Sequence, residues 1–137
     1  MRILVVEDDF ISRRLLCRYL EPYGECDVAV NGREAIQAVR RALNSGPRYD
    51  LVCLDIMMPD MDGQQTLREI RILEKEGGVA PEDTARVIMT TALEDHVNVM
   101  KAFRSQCDGY VVKPIERKRL LQILHESGLP VTTGEGR

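Results

Sequence analysis

Short apolar segments alternate with longer segments of helical spacing along the chain. The apolar segments are rich in Val, Ile and Leu, as buried strands are. They lie at residues 3–6, 26–30, 51–54, 87–91 and 110–112. Between them, apolar residues recur every three or four positions, as at Ile11, Leu15 and Tyr19. Turn residues such as Asn31-Gly32 separate the two kinds of segment, so the pattern predicts five strand–helix units.

Strands that are apolar on both sides and alternate with helices form a parallel sheet covered on both faces. The pattern therefore predicts an α/β fold, a doubly wound, five-stranded parallel sheet. Residues 74–86 are polar and predict a surface loop with a short turn at Pro81. The periodicity ends before residue 129. We expect one domain over residues 1–128 and a flexible tail over residues 129–137.

The composition is that of a single globular domain. The chain has 137 residues, of which 44% are hydrophobic and 30% charged. Its 19 basic and 22 acidic residues give a net charge of −3, and the basic residues are scattered, so direct DNA binding is not expected. No basic leader precedes the first apolar segment, and no apolar run approaches the roughly 18 residues of a membrane-spanning helix. We expect a soluble cytoplasmic protein.

The four cysteines, Cys17, Cys26, Cys53 and Cys107, are widely spaced and form no Cys-x-x-Cys pair. This spacing indicates neither a zinc site nor a redox dithiol. The sequence predicts buried or partly buried thiols in a reducing compartment.

Polar residues directly follow four of the five predicted strands. They are Glu7-Asp8-Asp9, Asp55, Thr90-Thr91 and Lys113-Pro114. In an open parallel sheet, ligands bind beyond the carboxyl ends of the strands, so these residues are candidates for a common site. Each also has a structural interpretation when taken singly, Asp55 as a turn residue and Lys113 as a solvated charge. Because polar residues follow four of the five predicted strands, a common binding site is favoured over these separate structural interpretations.

The acidic residues among them indicate a divalent cation. Carboxylates that meet in one crevice repel each other unless a positive charge lies between them. Mg²⁺ prefers oxygen ligands and typically takes one or two protein carboxylates together with a phosphate oxygen. The sequence therefore predicts a Mg²⁺ site at Glu7, Asp8 and Asp55. Asp9 is interpreted instead as the N-cap of the following helix.

Four motifs at these strand ends form a recognisable set. They are ILVVEDD at residues 3–9, DIMMPDMDG at 55–63, MTTA at 89–92 and GYVVKPI at 109–115. The set resembles response-regulator receiver domains of two-component signalling, the CheY-like family, over residues 2–127. The resemblance implies a flavodoxin-like fold with strand order 2-1-3-4-5.

The resemblance also implies a role for each site residue. Asp55 would be the phosphoacceptor and Asp8 a direct Mg²⁺ ligand, with Glu7 assisting through water. Met57 would offer its backbone carbonyl to the metal. Lys113 would hold the aspartyl phosphate, and the peptide bond that follows it is usually cis in the family. An ionised Asp55 can attack phosphorus only if nearby positive charge offsets the charge of the phosphoryl oxygens.

Signalling would follow from a switch pair, Thr91 and Tyr110. In the family, the hydroxyl aligned with Thr91 binds a phosphoryl oxygen while the aromatic residue aligned with Tyr110 turns inward. The implied output surface comprises residues 94–105 and 110–126, the predicted fourth helix, fifth strand and fifth helix. The implied partners are a sensor histidine kinase or histidine phosphotransfer protein and a downstream protein. Family members also dimerise through this surface, so a homodimer is an open alternative.

Two positions that line the phosphate in the family are apolar in this chain, Met57 and Leu93. A water molecule that attacks the phosphoryl group needs polar partners to hold it in line. We therefore expect slow loss of the phosphoryl group without an external phosphatase, and faster loss from a Leu93→Glu variant.

Three other functions are weighed against the receiver. An aspartate-nucleophile phosphohydrolase resembles this site but has a second Asp at the position of Met57. A receiver-like module that no longer accepts phosphate would not keep Glu7, Asp8, Asp55, Thr91 and Lys113. The chain is also compatible with a receiver cut from a longer regulator. We expect self-modification without turnover of an external substrate.

Overall fold

The chain folds around a five-stranded parallel sheet with the strand order β2-β1-β3-β4-β5. The computed structural model describes residues 1–92 and 107–132. The strands are β1 (Arg2–Val6), β2 (Glu25–Ala29), β3 (Leu51–Asp55), β4 (Arg86–Thr91) and β5 (Gly109–Val112). Each bound lies within one residue of the predicted segment. The doubly wound sheet and its strand order are confirmed.

Four helices are described, and they alternate with the strands. They are α1 (Phe10–Leu20), α2 (Gly32–Ser45), α3 (Gly63–Glu76) and α4 (Arg117–Glu126). Short 3-10 turns lie at Glu21–Tyr23 and at Pro81–Asp83, the second where a turn was predicted. The helix predicted over residues 94–105 lies outside the described residues, so α4 is the fifth helix of the prediction. None of the described helices is long and apolar enough to cross a membrane.

The side chains of the sheet divide between two apolar layers, as the alternation of strand residues requires. Ile3 and Val5 of β1 point to the layer that contains Leu16, Leu20, Leu120, Leu121 and Leu124 of α1 and α4. Leu4 and Val6 point to the opposite layer, which contains Ala35, Val39, Leu67 and Ile70 of α2 and α3. Because both faces are covered, the free surface of the sheet is restricted to its edges and strand ends.

Three helices begin directly after a capping side chain. Asp9 accepts a hydrogen bond from Ser12 N at 2.8 Å, Asn31 from Glu34 N at 2.8 Å, and Asp62 from Gln65 N at 2.9 Å. Such caps satisfy backbone N–H groups that have no partner within the helix. The prediction of Asp9 as an N-cap is confirmed, and the cap fixes where α1 starts relative to Glu7 and Asp8.

Gly63 lets the start of α3 approach the end of β3. A Cβ atom on Gly63 would lie 2.3 Å from the carbonyl oxygen of Asp55, far inside van der Waals contact. The amide of Gly63 donates to the carbonyl of Ile56 at 2.8 Å. The absence of a side chain therefore sets the position of Asp55 relative to α3.

Part of the predicted tail packs against the domain. Gly128 adopts a positive φ of 87° and ends α4, after which the amide of Leu129 donates to Leu124 O at 3.1 Å. Val131 is 5% exposed and joins the apolar layer of α1 and α4. The packing of Val131 could not be predicted from the helical periodicity, because Val131 is a single apolar residue that follows a turn. Residues 133–137 lie outside the described residues.

Candidate functional site

The carboxyl ends of β1, β3 and β5 bring charged side chains into one cluster. Carboxylate oxygens of Glu7, Asp8 and Asp55 lie within 4.8 Å of one another. Nζ of Lys113 lies 3.0 Å from Oε1 of Glu7 and 3.4 Å from Oδ2 of Asp55. The convergence predicted from the strand ends is therefore present for these four residues.

Burial makes this cluster electrostatically unusual. Glu7 is 0% and Asp55 4% exposed, whereas Asp8 is exposed. Burial, followed by the negative charge of Glu7, raises the pKa of Asp55 to about 7, although Lys113 acts in the opposite direction. Burial also opposes the charge of Lys113, but its contacts with Glu7 and Asp55 outweigh that effect and raise its pKa. The ammonium is therefore held charged, and Asp55 is held close to the point of ionisation.

Backbone amides bind one oxygen of each buried acid. The amide of Met57 donates to Oδ1 of Asp55 at 3.2 Å, and the amide of Asp9 donates to Oε2 of Glu7 at 3.1 Å. Oε1 of Glu7 is buried and has the Lys113 ammonium 3.0 Å away. A buried carboxylate in a cluster of oxygen ligands suits a hard cation such as Mg²⁺.

Met57 lies two residues after Asp55, and its side chain is 57% exposed. The thioether therefore lies at the surface beside the acid cluster. The backbone amide of Met57 binds Asp55, and the role predicted for its carbonyl stays a prediction.

Thr91 ends β4 next to the strand that carries Lys113. The amide of Lys113 donates to Thr91 O at 2.7 Å, which fixes the two residues relative to each other. The hydroxyl of Thr91 is buried and donates to the carbonyl of Ala92 at 3.0 Å. The predicted contact of this hydroxyl with a phosphoryl group would therefore require it to leave that carbonyl.

Tyr110 is half-buried on β5 and pairs with Met89 in the register of the sheet. It packs against the apolar layer of α2 and α3. Its role as a switch stays a prediction, and Leu93 lies outside the described residues, as does the part of the predicted output surface at residues 94–105. The peptide bond between Lys113 and Pro114 is cis, as the resemblance implies.

Arg13 also contacts the site, and sequence reasoning did not identify it. Its guanidinium donates to the carbonyl of Glu7 at 2.9 Å and to that of Asp8 at 3.4 Å. Arg13 lies one helical turn after the N-cap Asp9, so it can reach back over the start of α1. The sequence shows an Arg four residues after the acidic motif Glu7-Asp8-Asp9. This spacing alone does not identify Arg13, because many charged residues lie on the surface of a helix at similar distances.

Three comparisons place these findings among known proteins. The family model described as "Response regulator receiver domain" matches residues 3–125. Chemotaxis protein CheY of Treponema pallidum is 32% identical over 123 residues, covering 88% of this chain and 78% of CheY. Hybrid signal transduction histidine kinase L of Dictyostelium discoideum is 34% identical over 128 residues, covering 93% of this chain but 7% of the kinase.

A solved structure with the same fold contains Mg²⁺. The CheX–CheY–BeF3–Mg²⁺ complex from Borrelia burgdorferi includes a chain with a TM-score of 0.80 and 28% identity, covering 94% of this chain and 90% of that one. The match extends over nearly the whole chain.

Proposed function

Because the chain belongs to the response regulator receiver domain family, we propose that Asp55 accepts a phosphoryl group from a phosphohistidine. The donor is a sensor histidine kinase or a histidine phosphotransfer protein. The observation that carries this proposal is the burial of Asp55 at the end of β3, within 4.8 Å of the acids Glu7 and Asp8 and 3.4 Å from the Lys113 ammonium. A nucleophile, an acid cluster and a fixed cation are the parts that phosphoryl transfer to a carboxylate requires.

The proposed transfer assigns a separate task to each side chain. An ionised oxygen of Asp55 forms a bond to phosphorus as the bond between phosphorus and the histidine nitrogen breaks. Lys113 offsets the charge of the phosphoryl oxygens and holds the aspartyl phosphate afterwards. The reaction modifies the domain itself and turns over no external substrate.

Mg²⁺ is the proposed cofactor, held by Glu7, Asp8, Asp55 and the backbone carbonyl of Met57. The cluster of carboxylate oxygens within 4.8 Å of one another supports this assignment. When bound, the ion supplies positive charge that favours ionised Asp55 and offsets the charge on the phosphoryl group. Glu7 is fully buried in the proposed site, whereas Asp8 is exposed and accessible to an incoming ion.

We propose that Thr91 and Tyr110 transmit the modification to a downstream protein. The hydroxyl of Thr91 exchanges its carbonyl partner for a phosphoryl oxygen, and Tyr110 moves further into the domain. The output surface comprises residues 94–105 and 110–126, and the same surface is available for a homodimer. The proposed location is the cytoplasm, and the domain either acts alone or belongs to a longer regulator.

The central test is phosphorylation with a small donor. Incubation with Mg²⁺ and acetyl phosphate is expected to add one phosphoryl mass to the wild-type chain and none to Asp55→Asn. Asp60→Asn is the matched control, since Asp60 is an exposed acid in the loop after β3 that lies outside the acid cluster. Modification of Asp55→Asn, or no modification of the wild type, would contradict the proposal.

The same reaction separates the receiver from a phosphohydrolase. A receiver consumes about one donor molecule for each protein molecule and then stops until the phosphoryl group is lost. Continuous release of phosphate from a generic phosphate ester would instead show multiple turnover. The apolar Met57 beside Asp55 supports the first outcome because it offers no second acid.

A further inference from the structure

The cysteines are distributed unevenly between the two faces of the sheet. Cys17 of α1, Cys26 of β2 and Cys53 of β3 belong to the apolar layer of α1 and α4, whereas Cys107 packs against the opposite layer. The sheet therefore separates Cys107 from the other three. All four side chains are free thiols in the structure.

Cys17 and Cys26 are in side-chain contact. Helix α1 packs against the edge strand β2, and this packing brings the two thiols close enough to interact. Both are partly exposed, whereas Cys53 is fully buried. A pair of adjacent, partly accessible thiols is a candidate for covalent modification.

The register of the sheet excludes a bond between Cys26 and Cys53. Cys26 lies opposite Ile3 and Cys53 lies opposite Val5, so β1 separates the two cysteines. Two strand spacings amount to about 9.6 Å, more than the roughly 7 Å between Cα atoms that a disulfide can bridge. Cys17 is therefore the partner available to Cys26.

An open groove gives access to Cys17. The groove has a volume of about 620 Å³ and is lined by Cys17 together with Arg13, Arg14 and Arg18 of α1. Glu21 is the one acid among the described residues of this lining, so three guanidinium groups leave the groove with a net positive charge that attracts an anionic reagent. Oxidised glutathione is such a reagent, a disulfide of low molecular weight that carries several carboxylates.

We propose that Cys17 and Cys26 form a reversible intramolecular disulfide by exchange with an anionic, low-molecular-weight disulfide such as oxidised glutathione. The thiolate of Cys17 attacks one glutathione sulfur, the glutathione S–S bond breaks, and one glutathione thiolate leaves. The thiolate of Cys26 then attacks Sγ of Cys17 and releases the second glutathione thiolate. The two cysteine protons pass through solvent to the leaving thiolates, so two thiols are oxidised and one disulfide is reduced.

The environment of the pair implies a slow reaction. Burial raises the pKa of Cys17, and burial together with the neighbouring Cys17 raises the pKa of Cys26 to about 11. Few thiolates are present at neutral pH, so the exchange rate is expected to increase by about tenfold for each pH unit between about 7 and 9. The pair therefore stays reduced in a reducing compartment and responds to sustained oxidation.

The test uses the full native chain with oxidised glutathione at pH 8. The expected product is a monomer that has lost two hydrogens and carries no glutathione, with a disulfide-linked peptide pair that contains Cys17 and Cys26. Cys26→Ser is expected to stop at a glutathione adduct on Cys17. Cys107→Ser is the matched control and is expected to form the disulfide at the wild-type rate, because Cys107 lies on the other side of the sheet.

Thermal unfolding gives an independent readout. The bond closes the loop of residues 17–26 and ties α1 to β2, so the melting temperature of the oxidised wild type is expected to rise by about 5–10 °C. No such rise is expected for Cys26→Ser treated in the same way. A wild type that stops at the glutathione adduct, a disulfide that includes Cys53 or Cys107, or a disulfide between two chains would overturn the proposal.

Discussion

The ionised form of the Asp55 carboxyl group destabilises the folded domain. Its pKa is raised from 3.8 to about 7, by burial first and by Glu7 second. The folded domain therefore keeps this proton at pH values where the unfolded chain has lost it. The free energy of unfolding falls as pH rises from about 4 to about 7, and the penalty is complete above that range.

Asp55→Asn is therefore expected to stabilise the domain at pH 8 in the absence of Mg²⁺. A gain of about 2 kcal/mol is consistent with a shift of this size when Lys113 loses part of its attraction. Near pH 4 the difference is expected to be small because the acid is then neutral in the folded state and only about half ionised in the unfolded chain. Urea unfolding of both proteins at the two pH values measures this, and a variant less stable than the wild type at pH 8 would contradict it.

Met57 determines how long the phosphoryl group is expected to remain. The side chain beside Asp55 is apolar and exposed, so it cannot hold an attacking water molecule by a hydrogen bond. Met57→Asn supplies such a partner, and one hydrogen bond in the transition state accelerates hydrolysis roughly tenfold. The half-life of the phosphorylated chain measures the effect, with Ile72→Asn as a control at an exposed apolar position on α3. Equal half-lives for Met57→Asn and the wild type would reject this role.

Asp55 and Lys113 could be predicted from the sequence, whereas Arg13 could not. The first two follow apolar strands directly, and parallel strands bring their carboxyl ends together whatever the helices do. The contacts of Arg13 depend on where α1 lies over the sheet, which depends on packing between distant residues. The contact between Cys17 and Cys26 has the same origin and was not predicted.

Helix α3 is tied to β4 and β5 by a buried ion pair. Glu74 is 4% exposed, and its two oxygens accept from Arg71 and from the amide of Ala85, each at 2.7 Å. Arg71 also donates to Asp108 at 3.0 Å, and the same Asp108 oxygen accepts from the amide of Val87 at 2.8 Å. One arginine therefore links a helix to the start of two strands.

Removal of the Glu74 carboxylate leaves the buried amide of Ala85 without its acceptor and leaves Arg71 with its remaining ion pair to Asp108. Glu74→Ala is expected to lower the free energy of unfolding by about 3 kcal/mol. Glu76→Ala is the matched control on the same helix, since Glu76 is exposed, and its effect is expected to stay below about 0.5 kcal/mol. Urea unfolding compares the two, and similar losses would show that the buried pair contributes little.

The strands were predictable because their signals are local and repeat five times. The pattern placed each strand within one residue, and the resemblance supplied the order that the sheet confirms. The packing of the segment after α4 was not predictable in the same way. The burial of Val131 depends on a turn at Gly128 and on space left between α1 and α4, neither of which the local sequence specifies.

The stability of the whole domain is expected to depend on Mg²⁺ through the acid cluster. An ion that binds only the folded state adds about 2.7 kcal/mol at 100 times its dissociation constant. For a domain of this size the melting temperature then rises by about 5–10 °C. Asp8→Asn removes one ligand and is expected to lose most of this rise, whereas Asp60→Asn keeps it. Calorimetry with and without Mg²⁺ provides the comparison, and equal shifts for both variants would exclude the cluster as the binding site.

The close approach of Gly63 to Asp55 also limits how the domain can diversify. Any side chain at position 63 would collide with the backbone of the residue proposed to receive the phosphoryl group, so no compensating change on a flexible neighbour can make room. In a saturation mutagenesis library selected for phosphoryl acceptance, the codon for residue 63 should remain invariant. Position 65, two residues further on, is exposed and should tolerate most amino acids, so that the surface of α3 can vary in sequence while residue 63 cannot.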